Sequence, residues 1–184
     1  MNTGITIKHR WRLDACRTVA ERLVDRLAPA CERITIAGSV RRARPDPADI
    51  ELLCVPRMDY SLIFGADLLD AAVKQAVTDG ILLYRVNSKG QQQYGPMNKF
   101  MADLATGIPI DIFSTDAPSW GMALVVRTGP AELNIRMMSR LKAMGYKGFI
   151  YGIKNRQGQE CDVETEEKVF ALLGWTMTEP SARK

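Results

Sequence analysis

Two carboxylates inside an apolar stretch constrain the fold of this chain more than any other feature. The stretch AGSVRRARPDPADIELLC, residues 37–54, ends in an apolar run typical of a buried strand, yet this run carries Asp49 and Glu51. Because side chains alternate along a strand, both carboxylates lie on one face, with α-carbons about 6.5–7 Å apart. Ionised groups in such a place repel each other and lose solvation, so we expect a cation to balance them.

A third carboxylate, Asp111, has the same kind of setting, between two isoleucines in the run IPIDIFS. If this run is a strand next to 49–55, three carboxylates converge. Hard oxygen ligands suit magnesium, and three carboxylates are enough to hold two ions for phosphoryl transfer. The alternative is that Asp111 caps a strand end while Asp49 and Glu51 pair with nearby arginines. Those arginines are Arg41, Arg42 and Arg44.

The Gly-Ser pair ahead of the carboxylates is typical of a phosphate-binding turn. Gly38 allows the backbone to approach a phosphate closely, and amides at such a turn can point at an anion. Ser39 adds a donor, and Arg42 can hold a phosphate oxygen with two hydrogen bonds. The combination of Gly-Ser, two arginines and a strand of alternating acids is a strong signal for a phosphate-binding site beside a metal site.

Length and residue usage exclude several other classes. The 184 residues are enough for one domain or two small ones with a real core. No apolar run approaches a membrane span, and the N-terminus has no signal-like apolar core. We therefore expect a cytoplasmic protein with no membrane partner, in a nucleoid or viral setting. A lone histidine, His9, and the lack of CxxC argue against a zinc site and a Ser-His-Asp triad. We expect buried free thiols at Cys16, Cys31 and Cys54.

Charge is unevenly distributed along the chain, although the net charge is only +4. The segment 134–159 contains six basic residues and no acid, which favours contact with a phosphate backbone. The alternative is a solvated helix face followed by an acidic helix start. The basic residues are Arg136, Arg140, Lys142, Lys147, Lys154 and Arg156.

Periodicity predicts an alternation of helices and strands with a change of character near residue 118. Up to that point we expect helices over 13–27 and 68–77 and strands over 34–38, 49–55 and 81–87, with a strand pair around Thr106-Gly107. Beyond it we expect two helices broken at Gly129-Pro130, a small hairpin with its turn near Gln157-Gly158, and a last helix. The predicted domains are therefore 1–118 and 119–184.

Taken together, these motifs make the chain resemble a nucleotidyltransferase of the DNA polymerase β superfamily, and more narrowly a family X DNA polymerase. The resemblance runs from about residue 13 to the C-terminus. It rests on the following segments: Gly38-Ser39, Arg41-Arg42, DIE (49–51), SKG (88–90), IDIF (110–113), WGMALVVRTG (120–129), LNIRMMSRLKAMGYK (133–147) and TEEKVFALLG (165–174), with Pro180 and Arg183 near the end.

The resemblance implies an α+β fold, with a palm whose mixed sheet has helices on one face, followed by a small α/β thumb. It also implies two Mg²⁺ ions, replaceable by Mn²⁺, with Asp111 helping to activate a primer 3′-hydroxyl. The metal-binding and catalytic residues would be Asp49, Glu51 and Asp111. The nucleotide-binding residues would be Gly38, Ser39, Arg42, Gly129 and Asn134. The DNA-binding residues would be Arg127, Arg136, Arg140, Lys142 and Lys147.

Several positions depart from the family's pattern. Glu51 replaces the usual aspartate, and the wider superfamily accepts either acid. Val126 and Arg127 replace an aromatic pair that sits against the sugar, which suggests that ribonucleotides are incorporated almost as well as deoxynucleotides. Pro109 stands where a basic residue is usual, and Pro130 where a serine is usual.

The expected function is templated addition of a nucleotide to a primer 3′-end, in short gaps during DNA repair. We expect a monomer that begins at the palm, as in the minimal two-domain viral members, without lyase, helix-hairpin-helix or nuclease domains. Its partners would be gapped or primer-template DNA, nucleoside triphosphates and accessory repair proteins. Two alternatives stay open: a nucleotidyltransferase acting on RNA, a protein or a small molecule, and an inactive module that binds DNA or nucleotides.

Overall fold

The structure is a computed structural model that describes residues 9–61, 65–150 and 152–183. The predicted domain ranges also include residues 1–8, 62–64, 151 and 184, which lie outside this description. The helices are α1 Leu13–Leu27, α2 Gly38–Arg41, α3 Leu68–Thr78, α4 Trp120–Thr128, α5 Ala131–Ala143 and α6 Glu166–Leu173, with 3₁₀ turns at Ala28–Ala30 and Pro180–Ala182. The strands are β1 Cys31–Ala37, β2 Ile50–Pro56, β3 Met58–Asp59, β4 Ala66–Asp67, β5 Leu82–Tyr84, β6 Asn98–Asp103, β7 Pro109–Ser114, β8 Lys147–Phe149 and β9 Gly152–Lys154.

Five strands form a mixed sheet in the order β1-β2-β7-β6-β5. Strand β2 runs antiparallel to β1 and parallel to β7, while β6 is antiparallel to both β7 and β5. The strand pair predicted around Thr106-Gly107 is β6–β7, and β7 is the neighbour of β2 that the carboxylate argument required. The mixed sheet with helices confirms the α+β expectation at this level.

The face of the sheet opposite the carboxylates is covered by α1 and α3. Leu23 and Leu27 of α1 and Val73 of α3 are fully buried, together with Leu52 and Ile110 of the sheet. Helix α1 has Asp14 in its first turn and Arg26 in its last, as the helix dipole favours. The three cysteines predicted to be buried free thiols, Cys16, Cys31 and Cys54, are buried and free.

Helix α4 packs against the sheet with one side and against the C-terminal helices with the other. Trp120, Ala123 and Leu124 join the core on the carboxylate face of the sheet. Met122 and Val125, on the other side, join the core formed by α5, α6 and the strands β8–β9. We call residues 13–114 the sheet region and residues 120–183 the C-terminal region. The domain boundary near residue 118 stays a prediction.

The C-terminal region has the predicted helices, and its strands begin earlier than expected. Helix α5 follows a break at Gly129-Pro130, and α6 begins after Thr165, whose hydroxyl accepts a hydrogen bond from the amide of Lys168. The two-stranded sheet is β8–β9, while the predicted turn near Gln157-Gly158 lies just beyond it and brings Lys154 opposite Glu160 in a single bridge. No helix in the described residues is long and apolar enough to cross a membrane.

Candidate active site

The candidate active site is built on one row of residues that crosses the sheet. Glu51 of β2 is in register with Asp111 of β7, which is in register with Phe100 of β6. Arg85, just after β5, continues the row by donating its amide to the carbonyl of Phe100 at 3.0 Å. Because residues in register across a sheet point to the same side, Glu51, Asp111 and Arg85 share the face away from α1 and α3.

Asp49 completes the set of three carboxylates from just outside the strand. It precedes the first residue of β2 and lies two positions before Glu51, and its charge acts on both Glu51 and Asp111. Among the described residues, however, no three His, Cys, Asp or Glu side chains form a ready-made metal-binding group. The sheet therefore brings Glu51 and Asp111 side by side, and Asp49 joins them electrostatically.

Both strand carboxylates are difficult to ionise. Burial, followed by the negative charges of Asp49 and Asp111, raises the pKa of Glu51 to about 7. Burial also raises the pKa of Asp111 to about 6, even though the neighbouring Arg85 opposes this shift. The site thus has an excess of carboxylate charge that an added cation would relieve.

The carboxylates fit magnesium by their chemistry. All three supply the hard oxygen ligands that Mg²⁺ prefers, and their mutual repulsion favours a divalent cation among them. Side-chain rotations would be needed to gather them, since the described residues contain no preassembled group. Metal binding stays a prediction on these grounds.

The arginines expected as alternative partners of Asp49 and Glu51 are engaged elsewhere. Arg41 donates to Glu166 at 2.6 and 2.9 Å, and Arg42 donates to the carbonyl of Thr128. Among the described residues, no ion pair joins Asp49 or Glu51 to Arg41, Arg42 or Arg44. Asp111 lies inside β7, so it does not cap a strand end.

Arg127 and Arg85 are the cations that reach the carboxylates from either side. The guanidinium carbon of Arg127 lies 3.4 Å from the centre of the Phe113 ring, and its charge lowers the pKa of both Glu51 and Asp111 against the larger effect of burial. Nη1 of Arg85 lies 2.7 Å from Oδ1 of Asp111. Arg127 therefore lies near the carboxylates, apart from the exposed basic residues on α5 and β8, and its DNA-binding role stays a prediction.

The Gly-Ser pair lies directly beside Glu51. Gly38 has a φ of +62°, which favours glycine, and a Cβ there would stand only 2.7 Å from Oε1 of Glu51. The Oγ of Ser39 is buried, with no hydrogen-bond partner in the described part of the chain. An orphaned buried hydroxyl is the kind of group that a bound ligand would satisfy.

The other predicted nucleotide-binding residues meet at the junction of α4 and α5. Gly129 joins the two helices with a φ of +66°, and a Cβ there would lie 3.2 Å from Nη1 of Arg42. Asn134 donates from Nδ2 to the carbonyl of Val126 at 2.8 Å, while its Oδ1 is buried without a partner among the described residues. Arg42, Gly129 and Asn134 therefore gather at the C-terminal end of α4.

The remaining predicted DNA-binding residues form an exposed basic surface on the C-terminal region. Arg136, Arg140 and Lys142 are exposed on α5, and Lys147 is exposed on β8. Arg140 also approaches the carbonyl of Leu173 at 3.4 Å. Their exposure leaves these side chains accessible to a phosphate backbone.

A cavity of about 300 Å³ opens beside the carboxylates. Asp49, Arg85 and Pro109 line one part of it, and His9 and Trp11 line another. The rings of His9 and Trp11 meet edge to face with centroids 4.3 Å apart. The cavity thus gives access to Asp49 and Arg85, two of the residues around the carboxylates.

Sequence reasoning missed two residues of this site and its surroundings. Arg85 lies 26 positions before Asp111 in a run assigned only to a strand, and Glu166 was noted only as an acid at a helix start. Glu166 accepts hydrogen bonds from Arg41 of the sheet region and Arg183 of the C-terminal region. The sequence offered one signal. Pro109 stands where a basic residue is usual, so a cation near Asp111 has to come from another residue.

A comparison with protein-family models shows what the C-terminal region is similar to. Residues 123–184 match the family model described as DNA polymerase beta thumb. The matched segment includes α5, α6 and most of α4, with Gly129 and Asn134. A search of curated proteins found no match.

The C-terminal region is therefore similar to the thumb of DNA polymerase beta. The exposed basic residues of the C-terminal region lie within the matched segment.

Proposed function

We propose that this chain is a family X type DNA polymerase, which adds a nucleotide from a deoxynucleoside triphosphate to a primer 3′-hydroxyl. The observation that carries the proposal is the in-register pair Glu51–Asp111, with Asp49 beside it, on a sheet whose next helix leads into a DNA polymerase beta thumb match. The sheet region would be the palm, and filling of short gaps in DNA repair would be the biological task.

In this proposal Asp49, Glu51 and Asp111 hold two magnesium ions, for which manganese can substitute. When bound, the metal neutralises negative charge on the attacking and leaving oxygens of the transferred phosphoryl group. Asp111 accepts a hydrogen bond from Arg85 at Oδ1, which leaves Oδ2 to act on the primer hydroxyl. In the metal-free protein burial raises the pKa of Asp111 to about 6, so the group is largely ionised at neutral pH and can accept the hydroxyl proton.

The proposed reaction is a nucleophilic displacement at the α-phosphorus. The primer 3′-oxygen forms a bond to the α-phosphorus, the bond from that phosphorus to the bridging oxygen breaks, and pyrophosphate leaves with both electrons of that bond. Ser39 and Arg42 would hold the triphosphate. The hydroxyl of Ser39 is buried without a partner among the described residues and follows Gly38, which lies against Glu51, while the guanidinium of Arg42 lies beside Gly129 at the α4–α5 junction. Asn134 would contact the incoming base through its unpartnered Oδ1 or its amide.

The experiment that tests the proposal is primer extension on a duplex with a one-nucleotide gap, with Mg²⁺ and each of the four dNTPs in turn. We expect addition of the complementary nucleotide alone. Addition that ignores the template would replace the proposal with a terminal transferase. No addition with either Mg²⁺ or Mn²⁺ would reject the polymerase and favour another acceptor or a binding module.

A further inference from the structure

Arg85 holds the carboxylate of Asp111 in a defined position. Its Nη1 lies 2.7 Å from Oδ1 of Asp111, and the two side chains are only 31% and 14% exposed. A charge-assisted hydrogen bond of this length between two largely buried groups restricts the rotation of the shorter side chain. Asp111 is thereby fixed at one oxygen.

Arg85 is itself held by the neighbouring strand. Its amide donates to the carbonyl of Phe100 at 3.0 Å, and its own carbonyl accepts from the amide of Gln93 at 3.3 Å. Its guanidinium carbon lies 5.4 Å from the centre of the Phe100 ring, within reach of a cation–π contact. The donor is therefore fixed at both its backbone and its head group.

Local sequence around Asp111 offers no substitute for this contact. Pro109, the residue on the same face of β7, carries neither a charge nor an amide proton. Arg85, which bonds Asp111, therefore comes from two strands away, across Phe100 in the row that runs over the sheet, in addition to the charge of Arg127. Arg85 also lines the cavity that Asp49 and Pro109 line, so the residue that bonds Asp111 lies at the edge of this cleft.

We infer that Arg85 is the positioning residue of Asp111: it occupies Oδ1 and orients Oδ2 toward the metal and the primer hydroxyl. The inference rests on the proposed function and assigns to this residue a role that no sequence motif indicates. Arg85 acts through Asp111 and does not take part in bond making.

The test compares Arg85→Ala and Arg85→Lys with wild type in single-nucleotide gap filling and in direct Mn²⁺ binding by electron paramagnetic resonance. Removal of a residue that orients a metal ligand reduces activity or metal affinity about 10–100-fold. We expect Arg85→Ala to lower kcat about 10–100-fold with an unchanged KM for the nucleotide, and to weaken Mn²⁺ binding. We expect Arg85→Lys, which keeps the charge, to recover part of both losses.

Arg22→Ala is the matched control. Arg22 pairs with Asp103 of β6, which is 1% exposed, so the same kind of ion pair is lost from the same sheet but from its opposite face. This variant should keep wild-type kcat and Mn²⁺ affinity. Urea unfolding of all three variants shows whether a loss of activity reflects a displaced Asp111 side chain or an unfolded protein. Arg85→Lys, which retains the ion pair, keeps the test possible if Arg85→Ala fails to fold.

A double-mutant cycle isolates the dependence on Asp111. In an Asp111→Asn background, Arg85→Ala should cause no further loss of Mn²⁺ affinity, since the group that it orients is gone. Unchanged kcat and Mn²⁺ affinity in folded Arg85→Ala would overturn the inference, as would a raised primer KM with unchanged kcat, which would make Arg85 a phosphate contact. If wild type fails to extend any primer, the proposed function fails, while the Mn²⁺ measurements still decide the role of Arg85.

Discussion

The carboxylate of Glu51 is buried near two other carboxylates. Both the burial and these negative charges disfavour its ionised form. These effects raise its pKa to about 7, compared with an ordinary value near 4.5. In the metal-free protein, the native state therefore binds more protons than the unfolded chain between these two values. Stability is then highest at the acidic end of that window and falls as the pH rises toward 7.

Glu51→Gln is expected to stabilise the metal-free protein at pH 8 by about 1–3 kcal/mol, because it removes the buried charge. The gain should shrink toward pH 5, where wild-type Glu51 is protonated. Urea unfolding with a chelator present measures both values, and Glu32→Gln, an exposed acid on β1, serves as control. Equal or lower stability of Glu51→Gln at pH 8 would show that burial and the neighbouring carboxylates do not destabilise the ionised form of Glu51. The same substitution should abolish nucleotide transfer.

At the scale of elements, helix α4 is both a packing element and a wall of the proposed nucleotide site. It buries residues on two sides, and its last turn presents Val126 and Arg127. Val126 contributes its carbonyl to Asn134, and Arg127 stacks its guanidinium on Phe113 of β7. Arg127 and Phe113 thus form a guanidinium–phenyl pair at the end of α4, where the resemblance implies an aromatic pair.

We expect weak discrimination between sugars, with kcat/KM for a deoxynucleotide within about tenfold of that for the matching ribonucleotide. Val126→Tyr should raise this ratio, because an aromatic ring at the end of α4 would crowd a 2′-hydroxyl. Single-nucleotide gap-filling kinetics with paired dNTP and NTP substrates give the ratio for both proteins. A strong wild-type preference for the deoxy form would reject this account of the helix end.

The strands show how far local pattern could predict the site. Alternation placed Glu51 and Asp111 on strands, and the register of β2 with β7 then brought them together. Periodicity does not report which strands are neighbours, so the approach of Arg85 across Phe100 was invisible in the sequence. Asp49 was expected inside the strand but lies just before β2, and the run 81–87 is reduced to Leu82–Tyr84.

At the scale of the whole molecule, one buried carboxylate connects the two regions. Glu166, at the start of α6, is 6% exposed and bonds Arg41 of the sheet region at 2.6 Å and the 1% exposed Arg183 at 2.8 Å. Burial alone would raise the pKa of Glu166, but hydrogen bonds from the two arginines outweigh it and hold the pKa below its ordinary value. A depressed pKa means that this stabilisation is present at neutral pH and lost as the pH falls through the folded-state pKa.

Glu166→Gln is expected to lower the free energy of unfolding at pH 7 by about 3 kcal/mol, because it leaves the buried Arg183 without its counter-charge. The difference from wild type should diminish at acidic pH, where wild-type Glu166 is protonated. Lys168→Ala is the matched control on the same helix, since its ion pairs with Asp162 and Glu164 are largely exposed and should contribute little to stability. If the two variants lose the same small amount in urea unfolding, the buried connection does not stabilise the molecule.

Sequence could not predict this connection for a physical reason. Arg41 was noted as one of an arginine pair beside the carboxylates, and Glu166 lies 125 positions later as one of several acids at a helix start. Which acid meets which arginine depends on how α4 packs between the two regions, and no local pattern encodes that packing. The alternation of helices and strands, in contrast, follows from local periodicity and was largely correct.

The sheet carboxylates are proposed to perform nucleotidyl transfer. The most direct test is the rate of single-turnover addition by Asp111→Asn on a duplex with a one-nucleotide gap. Wild type should add the templated nucleotide, and Asp111→Asn should be slower by at least about 10³-fold. Asp25→Asn, an exposed acid on α1, should match wild type. Addition by folded Asp111→Asn at the wild-type rate would contradict the account.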